Sequence, residues 1–118
     1  MKLRIRGNSV RLRLTRGEVA RLVSEGVVAE QAQFGSNLAL RYSIAKSDTP
    51  EISATLDGTH VQIRAPKTVV DRWAQSDEVG FESPPGAALK IVVEKDWNCL
   101  TPRAEDDQDT YPNPNQTC

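Results

Sequence analysis

The sequence contains few of the residues that usually form metal centres or nucleophilic active sites. Its 118 residues include two cysteines, one histidine and two each of tryptophan, tyrosine and phenylalanine. Two cysteines and one histidine provide too few ligands for a zinc site of recognisable spacing. The glycines are scattered and form no phosphate-binding loop. The pattern of charged residues is therefore the main guide to function.

Long apolar runs are also missing. No stretch approaches the ~20 apolar residues that a membrane-spanning helix needs. The opening "MKLRIRGNSVRLRL" carries a charge at nearly every second position, where a signal peptide would have an apolar block. We therefore expect a cytoplasmic protein without a membrane partner, in which Cys99 and Cys118 are mostly reduced.

The chain has almost no excess of charge of either sign, with a formal net charge of -1. A dedicated nucleic-acid-binding domain usually carries a basic excess, so a nucleic-acid partner is not expected. The length is that of one domain. We expect residues 1–97 to form a single α+β domain, and residues 98–118 to form a polar, acidic C-terminal tail that docks on it.

Basic and aliphatic residues alternate along the first 14 positions. A period of two is typical of a β-strand with one face in the core. It predicts that the basic side chains point into solvent and the aliphatic ones inward, namely Leu3, Ile5, Leu12 and Leu14. Gly7-Asn8 interrupts the alternation and favours a two-residue hairpin turn, although a bulge within one long strand fits the same residues.

Two short helices are predicted. Thr15 and Glu18 have the spacing of a capping box, which indicates a helix over residues 16–25 packed on the sheet. A second helix is expected to start at Thr68, with Trp73 as its anchor in the core.

Turn signals separate the remaining strands. Asp57-Gly58 lies between two alternating runs and predicts another hairpin. Residues 27–34 form a weak strand pattern, and residues 80–86 are expected to form a loop. The sequence shows no internal repeat. Together these elements predict an α+β fold with a mostly antiparallel sheet of about six strands and two short helices.

The first candidate site is the set of cations in the opening hairpin. A regular hairpin places five basic side chains on one sheet face, where they can bind a small anion or a phosphate group. These residues are Lys2, Arg4, Arg6, Arg11 and Arg13. The alternative is a solvated face whose cations pair with Glu or Asp of neighbouring strands. No aromatic residue interleaves with these cations, which is a further argument against nucleic-acid binding.

The second candidate is a metal site in the C-terminal segment. Carboxylate oxygens can bind a hard cation, and a cysteine with the lone histidine can bind a softer one. The possible ligands are Cys99, Asp106, Asp107, Asp109 and His60. The spacing is not that of a calcium loop, so the alternative is a solvated acidic tail. No cofactor and no catalytic residue are predicted.

The two ends of the sequence resemble a small bacterial family of uncharacterised proteins. The resemblance rests on "MKLRIRGNSVRLRLTRGEVARL" and on "EKDWNCLTPRAEDDQDTYPNP", and it spans nearly the whole chain. It implies a small free-standing bacterial cytoplasmic protein whose acidic tail belongs to the domain, and it implies no activity.

We therefore expect a protein of unknown function, most simply a non-enzymatic binding or protein-interaction module with a basic sheet face. Its partner would be another protein, a second copy of the chain in a homodimer, or a small anion. The alternative is an enzyme that processes small anions or phosphoesters with an arginine clamp and a carboxylate-bound divalent metal. An enzyme of that kind needs a concave site where arginines and carboxylates converge.

Overall fold

The computed structural model describes residues 1–97 and Tyr111. In this part of the chain, eight strands and two helices follow one another. In chain order they are β1 (Lys2–Arg6), β2 (Ser9–Leu14), α1 (Arg16–Glu25), β3 (Val27–Phe34), β4 (Leu38–Ser47), β5 (Ser53–Asp57), β6 (His60–Pro66), α2 (Lys67–Ala74), β7 (Gly80–Glu82) and β8 (Lys90–Lys95).

The strands form two mixed four-stranded sheets. Their orders are β1-β2-β8-β7 and β3-β4-β6-β5. In each sheet the outer pairs are antiparallel, and the central pair, β2–β8 or β4–β6, is parallel. The predicted α+β class with two helices is confirmed, whereas the mostly antiparallel sheet of about six strands is wrong. Local turn signals identify hairpins, but they say nothing about which strands pair across the molecule.

The strand β7 was missed because it is very short. Its three residues fall within the segment predicted to be a loop. A run of three residues is too brief to show a period of two, and this strand is held mainly by its pairing with β8. The hairpin predicted at Gly7-Asn8 is present. The second predicted hairpin is also present, but its turn is Gly58-Thr59 and not Asp57-Gly58, because Asp57 pairs with His60.

A topological repeat relates the two halves of the chain. Elements β1-β2-α1-β3-β4 recur in the same order as β5-β6-α2-β7-β8, and exchanging the halves leaves the strand pairing unchanged. Gly7 and Gly58 begin equivalent hairpin turns with φ of 52° and 59°. The amides of Lys46 and Lys95 donate to the carbonyls of Gly26 and Val79 at 2.8 and 3.0 Å. The expectation of no internal repeat is therefore wrong for the fold, because the repeat preserves residue pattern and not residue identity.

The first helix begins where the sequence indicates, and the second begins at Lys67, one residue before the predicted start. The Thr15 hydroxyl accepts a hydrogen bond from the Glu18 amide at 3.3 Å, and the Glu18 carboxylate accepts one from the Thr15 amide at 2.9 Å. This capping box satisfies two amides that the first turn of a helix leaves without partners. The second helix has no side-chain cap and depends on burial of Val70 and Trp73.

One apolar core lies beneath both sheets and both helices. Leu12 and Leu14 are buried in it as predicted, and Leu3 packs against its margin. Ile5 departs from the prediction, because 58% of its surface is exposed. It lies on the inward side of an edge strand, beyond the reach of the core. No helix among residues 1–97 is long and apolar enough to cross a membrane.

Candidate functional site

The strand register places the five predicted cations on the outer face of one sheet. Lys2 is opposite Arg13, and Arg4 is opposite Arg11, so these four side chains point the same way. Arg6 follows two positions after Arg4 and shares their side of β1. We call this surface the cationic face. Like charges placed directly opposite each other are destabilising unless anions lie between them.

Two carboxylates lie among the cations of the cationic face, one in β8 and one just after it. Glu94 is the register partner of Arg13, and its side chain is only 9% exposed. Its Oε1 accepts hydrogen bonds from Nε and Nη2 of Arg13 at 3.1 and 2.9 Å, and Nη1 of Arg11 lies 3.7 Å away. Asp96 lies 3.4 Å from Nζ of Lys2 and 4.0 Å from Nη1 of Arg13. These carboxylates offset the repulsion at this end of the face.

The other end of the cationic face lies near the Gly7-Asn8 turn. The Asn8 side chain donates to the carbonyl of Ala88, and the Lys90 amide donates to the Asn8 carbonyl at 3.1 Å. These bonds hold the turn against the start of β8, so that Ser9 lies between Arg6 and Lys90. Within the described part of the chain, no carboxylate lies within ion-pair distance of Arg6 or Lys90. Among the described residues, the positive charge at this end is therefore the less neutralised.

The cationic face carries no aromatic side chain from β1, β2 or β8. Its central apolar residue is Val92, which is buried between its register partners Arg11 and Glu82. Both helices bury their apolar residues in the core on the inner side of the sheets. The outer face is therefore a charged sheet surface, and β1, β2 and β8 provide no stacking platform for bases.

A cavity of about 200 Å³ lies elsewhere, between the β4–β5 link, α2 and β7. Its lining is mainly apolar, with three prolines, Ile52 and Phe81, and it includes the carboxylates Glu51 and Glu82. This volume is below the roughly 300 Å³ at which ligand pockets usually begin. None of the five predicted cations lines it, so this cavity is not the arginine-lined concave site that the enzyme alternative requires.

The predicted metal ligands are only partly within the described structure. Cys99, Asp106, Asp107 and Asp109 lie outside the described residues. Nε2 of His60 lies 2.8 Å from Oγ of Ser43, which is 2% exposed. Across residues 1–97, no group of three or more His, Cys, Asp or Glu side chains is close enough to hold a metal ion. The metal site stays a prediction. The contact between His60 and Ser43 is a part-buried hydrogen bond between neighbouring strands.

A separate charged cluster joins α1 to the β3–β4 hairpin. The α-ammonium of Met1 donates to Glu18, and to Glu30 at 2.7 Å, while the Tyr42 hydroxyl donates to Glu30 at 3.0 Å. Burial alone would raise the pKa of Glu18, but hydrogen bonds from Met1 and Thr15 outweigh it and lower this pKa to about 2. Burial also raises the pKa of Tyr42, with its bond to Glu30 acting in the same direction. Sequence reasoning assigned Glu18 only a capping role.

Comparison with known proteins identifies one family. Its model, described as a family of unknown function (DUF7009), matches residues 1–115. The chain belongs to DUF7009. No curated protein and no solved structure matches it. The predicted resemblance to an uncharacterised family is confirmed, and the DUF7009 match includes most of the acidic C-terminal segment.

Proposed function

We propose that this DUF7009 protein is a non-enzymatic binding module whose cationic face binds an acidic segment of a partner protein. The observation that carries this proposal is the register of β1 with β2, which aligns Lys2 with Arg13 and Arg4 with Arg11 on one surface. Carboxylates already lie among these cations, since Arg13 binds Glu94 through two donors. The face therefore has the chemistry to bind further carboxylates.

The spacing of the cations favours an extended peptide as the ligand. Along β1 the basic residues recur at every second position, about 6.6 Å apart for a strand rise of ~3.3 Å. Alternate side chains of an extended acidic peptide have the same spacing. The strands β1, β2 and β8 provide no aromatic platform for base stacking. These features favour an acidic protein segment over a nucleic acid.

Cytoplasmic location, bacterial origin and a homodimeric state stay predictions from the sequence. The proposed function needs none of them, because it requires only that a partner reach the outer side of the β1-β2-β8 sheet. The arginine-clamp enzyme is not favoured by any contact of the described residues.

A peptide-binding measurement tests the proposal. A fluorescently labelled glutamate decapeptide is titrated with the protein at low salt and at 0.5 M NaCl, and anisotropy is recorded. We expect the double variant Arg4→Gln/Arg6→Gln to bind at least fivefold more weakly than the wild type. We also expect 0.5 M salt to weaken wild-type binding strongly, because screening acts on exposed charges.

The topological repeat provides a matched control. Arg41 and Arg64 lie at positions of the other sheet equivalent to Lys90 and Arg13. The variant Arg41→Gln/Arg64→Gln removes the same charge from the other sheet. Its affinity for the decapeptide should match that of the wild type. Equal losses in both double variants, or no binding by the wild type, would overturn the proposal.

A further inference from the structure

We propose that the acidic segment of residues 105–109 binds the cationic face of its own chain and competes there with the acidic segment of a partner. This inference rests on the proposed function and deepens it, because it makes binding of a partner a displacement reaction. The segment "EDDQD" supplies four carboxylates within five positions. The face supplies five cations, of which Lys2, Arg4 and Arg6 belong to exposed residues.

Residues 96 and 97, which follow β8, lie at one end of the cationic face. After β8, the amide of Asp96 donates to the carbonyl of Leu14 at 2.8 Å, which extends the alignment with β2 by one residue. The Asp96 side chain turns toward Lys2 and Arg13. The described residues 1–97 therefore end at Trp97, one residue after a carboxylate that contacts two of the cations.

The length of the connection is sufficient for the segment to reach the far end of the face. Eight residue steps separate Trp97 from Glu105, and an extended chain spans up to about 26 Å over that length. The six residues of β2 span about 20 Å, so residues 105–109 can reach Arg6 and Lys90 near the Gly7-Asn8 turn. No rearrangement of the sheet is needed.

Two further observations favour an occupant from the same chain. Glu94 and Asp96, the last two carboxylates of residues 1–97, already bind Arg13 and Lys2 on this face. The DUF7009 match runs to residue 115, so the acidic segment is part of the family's sequence unit. Exposed ion pairs are individually weak, but a short tether gives the segment a millimolar effective concentration. The contact is therefore sufficient to compete with a partner and weak enough to be displaced.

The first test compares affinities for the labelled glutamate decapeptide in the full-length protein. The variant E105Q/D106N/D107N/D109N removes the internal competitor and should bind the decapeptide about tenfold more tightly than the wild type. The control variant removes four exposed carboxylates elsewhere, namely Glu25→Gln, Glu51→Gln, Asp57→Asn and Asp77→Asn. It has the same net charge, and its affinity should rise much less. Equal gains in both variants would show a general charge effect and overturn the inference.

A second test does not depend on any partner. Backbone amide chemical shifts of Arg4, Arg6 and Lys90 are measured by NMR in the wild type and in the quadruple tail variant. If the segment docks, the chemical shifts of these amides should differ between the wild type and the tail variant, and those of Arg41 and Arg64 should differ less. In 0.5 M NaCl the difference between the two proteins should disappear. Unchanged shifts would overturn the inference. If the shifts change but no variant binds the decapeptide, the tail contact stands and the proposed function fails.

Discussion

Lys46 and Lys95 make the same contact in the two halves of the chain. Nζ of Lys46 donates to the carbonyl of Val23 at 2.9 Å, and Nζ of Lys95 donates to the carbonyl of Ser76 at 2.6 Å. Val23 lies in the last turn of α1, and Ser76 lies two residues after the end of α2. Both carbonyls are therefore near the C-terminus of a helix, where a cation is favoured by the helix dipole. Lys46 therefore links β4 to the end of α1, and Lys95 links β8 to the segment that follows α2.

Replacing either lysine should destabilise the protein by a similar amount. We expect Lys46→Met and Lys95→Met each to lower the free energy of unfolding by about 1–3 kcal/mol, because a charged hydrogen bond to a carbonyl is lost. Lys46→Met also removes the ion pair with Asp71, and Lys95→Met the contact with the Trp73 ring. Lys67 is a matched control, since among residues 1–97 its ion pair is with the exposed Asp48. Lys67→Met should change stability by less than about 0.5 kcal/mol. Urea denaturation measures all three, and a control effect as large as the others would contradict the capping role.

The low pKa of Glu18 predicts a loss of stability in acid. Folding lowers this pKa from 4.5 to about 2, so its contribution is fully present above pH 4.5 and is lost as the pH falls toward 2. The stability at stake is up to about 3 kcal/mol. Glu18→Gln should therefore destabilise the protein at pH 7 and flatten its stability curve between pH 5 and pH 3.

The control for this pH dependence is the exposed Glu25 at the end of the same helix. Glu25→Gln should leave the slope of unfolding free energy against pH close to that of the wild type. Denaturant titrations at half-unit pH intervals provide the measurement. A Glu18→Gln curve parallel to the wild-type curve would show that the carboxylate is not held in its charged form by folding.

Two glycines should respond to alanine in opposite directions. A Cβ at Gly80 would overlap the carbonyl oxygen of Val93 and lie 3.0 Å from Cα of Glu94. Both obstacles are backbone atoms of the paired strand, so we expect Gly80→Ala to cost about 2–4 kcal/mol. Gly17 is in α1 and has open space around it. Gly17→Ala should stabilise the protein by about 0.5–1 kcal/mol through helix propensity, as thermal unfolding can show.

The contact between Arg13 and Glu94 should stabilise the fold more than an exposed ion pair does. A double-mutant cycle with Arg13→Met and Glu94→Met should give a coupling free energy of about 1–3 kcal/mol, because the Glu94 carboxylate is nearly excluded from water. Arg72 and Glu78 form an exposed pair at 3.1 Å and provide the control. Their cycle should give less than about 0.5 kcal/mol. Equal couplings would indicate that burial adds nothing at Glu94.

Much of the local structure was predictable from short-range patterns. The capping box of Thr15 and Glu18, the helix over residues 16–25 and the turn at Gly7-Asn8 all depend on residues within a few positions of one another. The exposure of Ile5 was not predictable in this way. Alternation tells which side of a strand a residue occupies, but not whether the core extends far enough to cover it.

The candidate site was predicted in part. Alternation and the hairpin turn indicated that the five cations share a face, whereas the carboxylate that neutralises Arg13 was not identified. Arg13 and Glu94 are 81 positions apart, and they meet only because β2 pairs with β8 in parallel. A parallel pair has no turn between its strands, so no local signal marks it. The charged cluster around Glu18 and Glu30 was missed because Met1, α1 and the β3–β4 hairpin meet only through tertiary packing.

The sequence by itself determined the helices, the hairpins and the alternation that separates aliphatic from basic side chains. These features depend on backbone preferences and hydrogen bonds between near neighbours. Only the tertiary structure decided that each sheet is shared between the two halves of the chain, and that Glu94 and Asp96 lie among the cations. That choice is made by the burial of apolar faces from distant strands in one core, and burial depends on the whole chain at once.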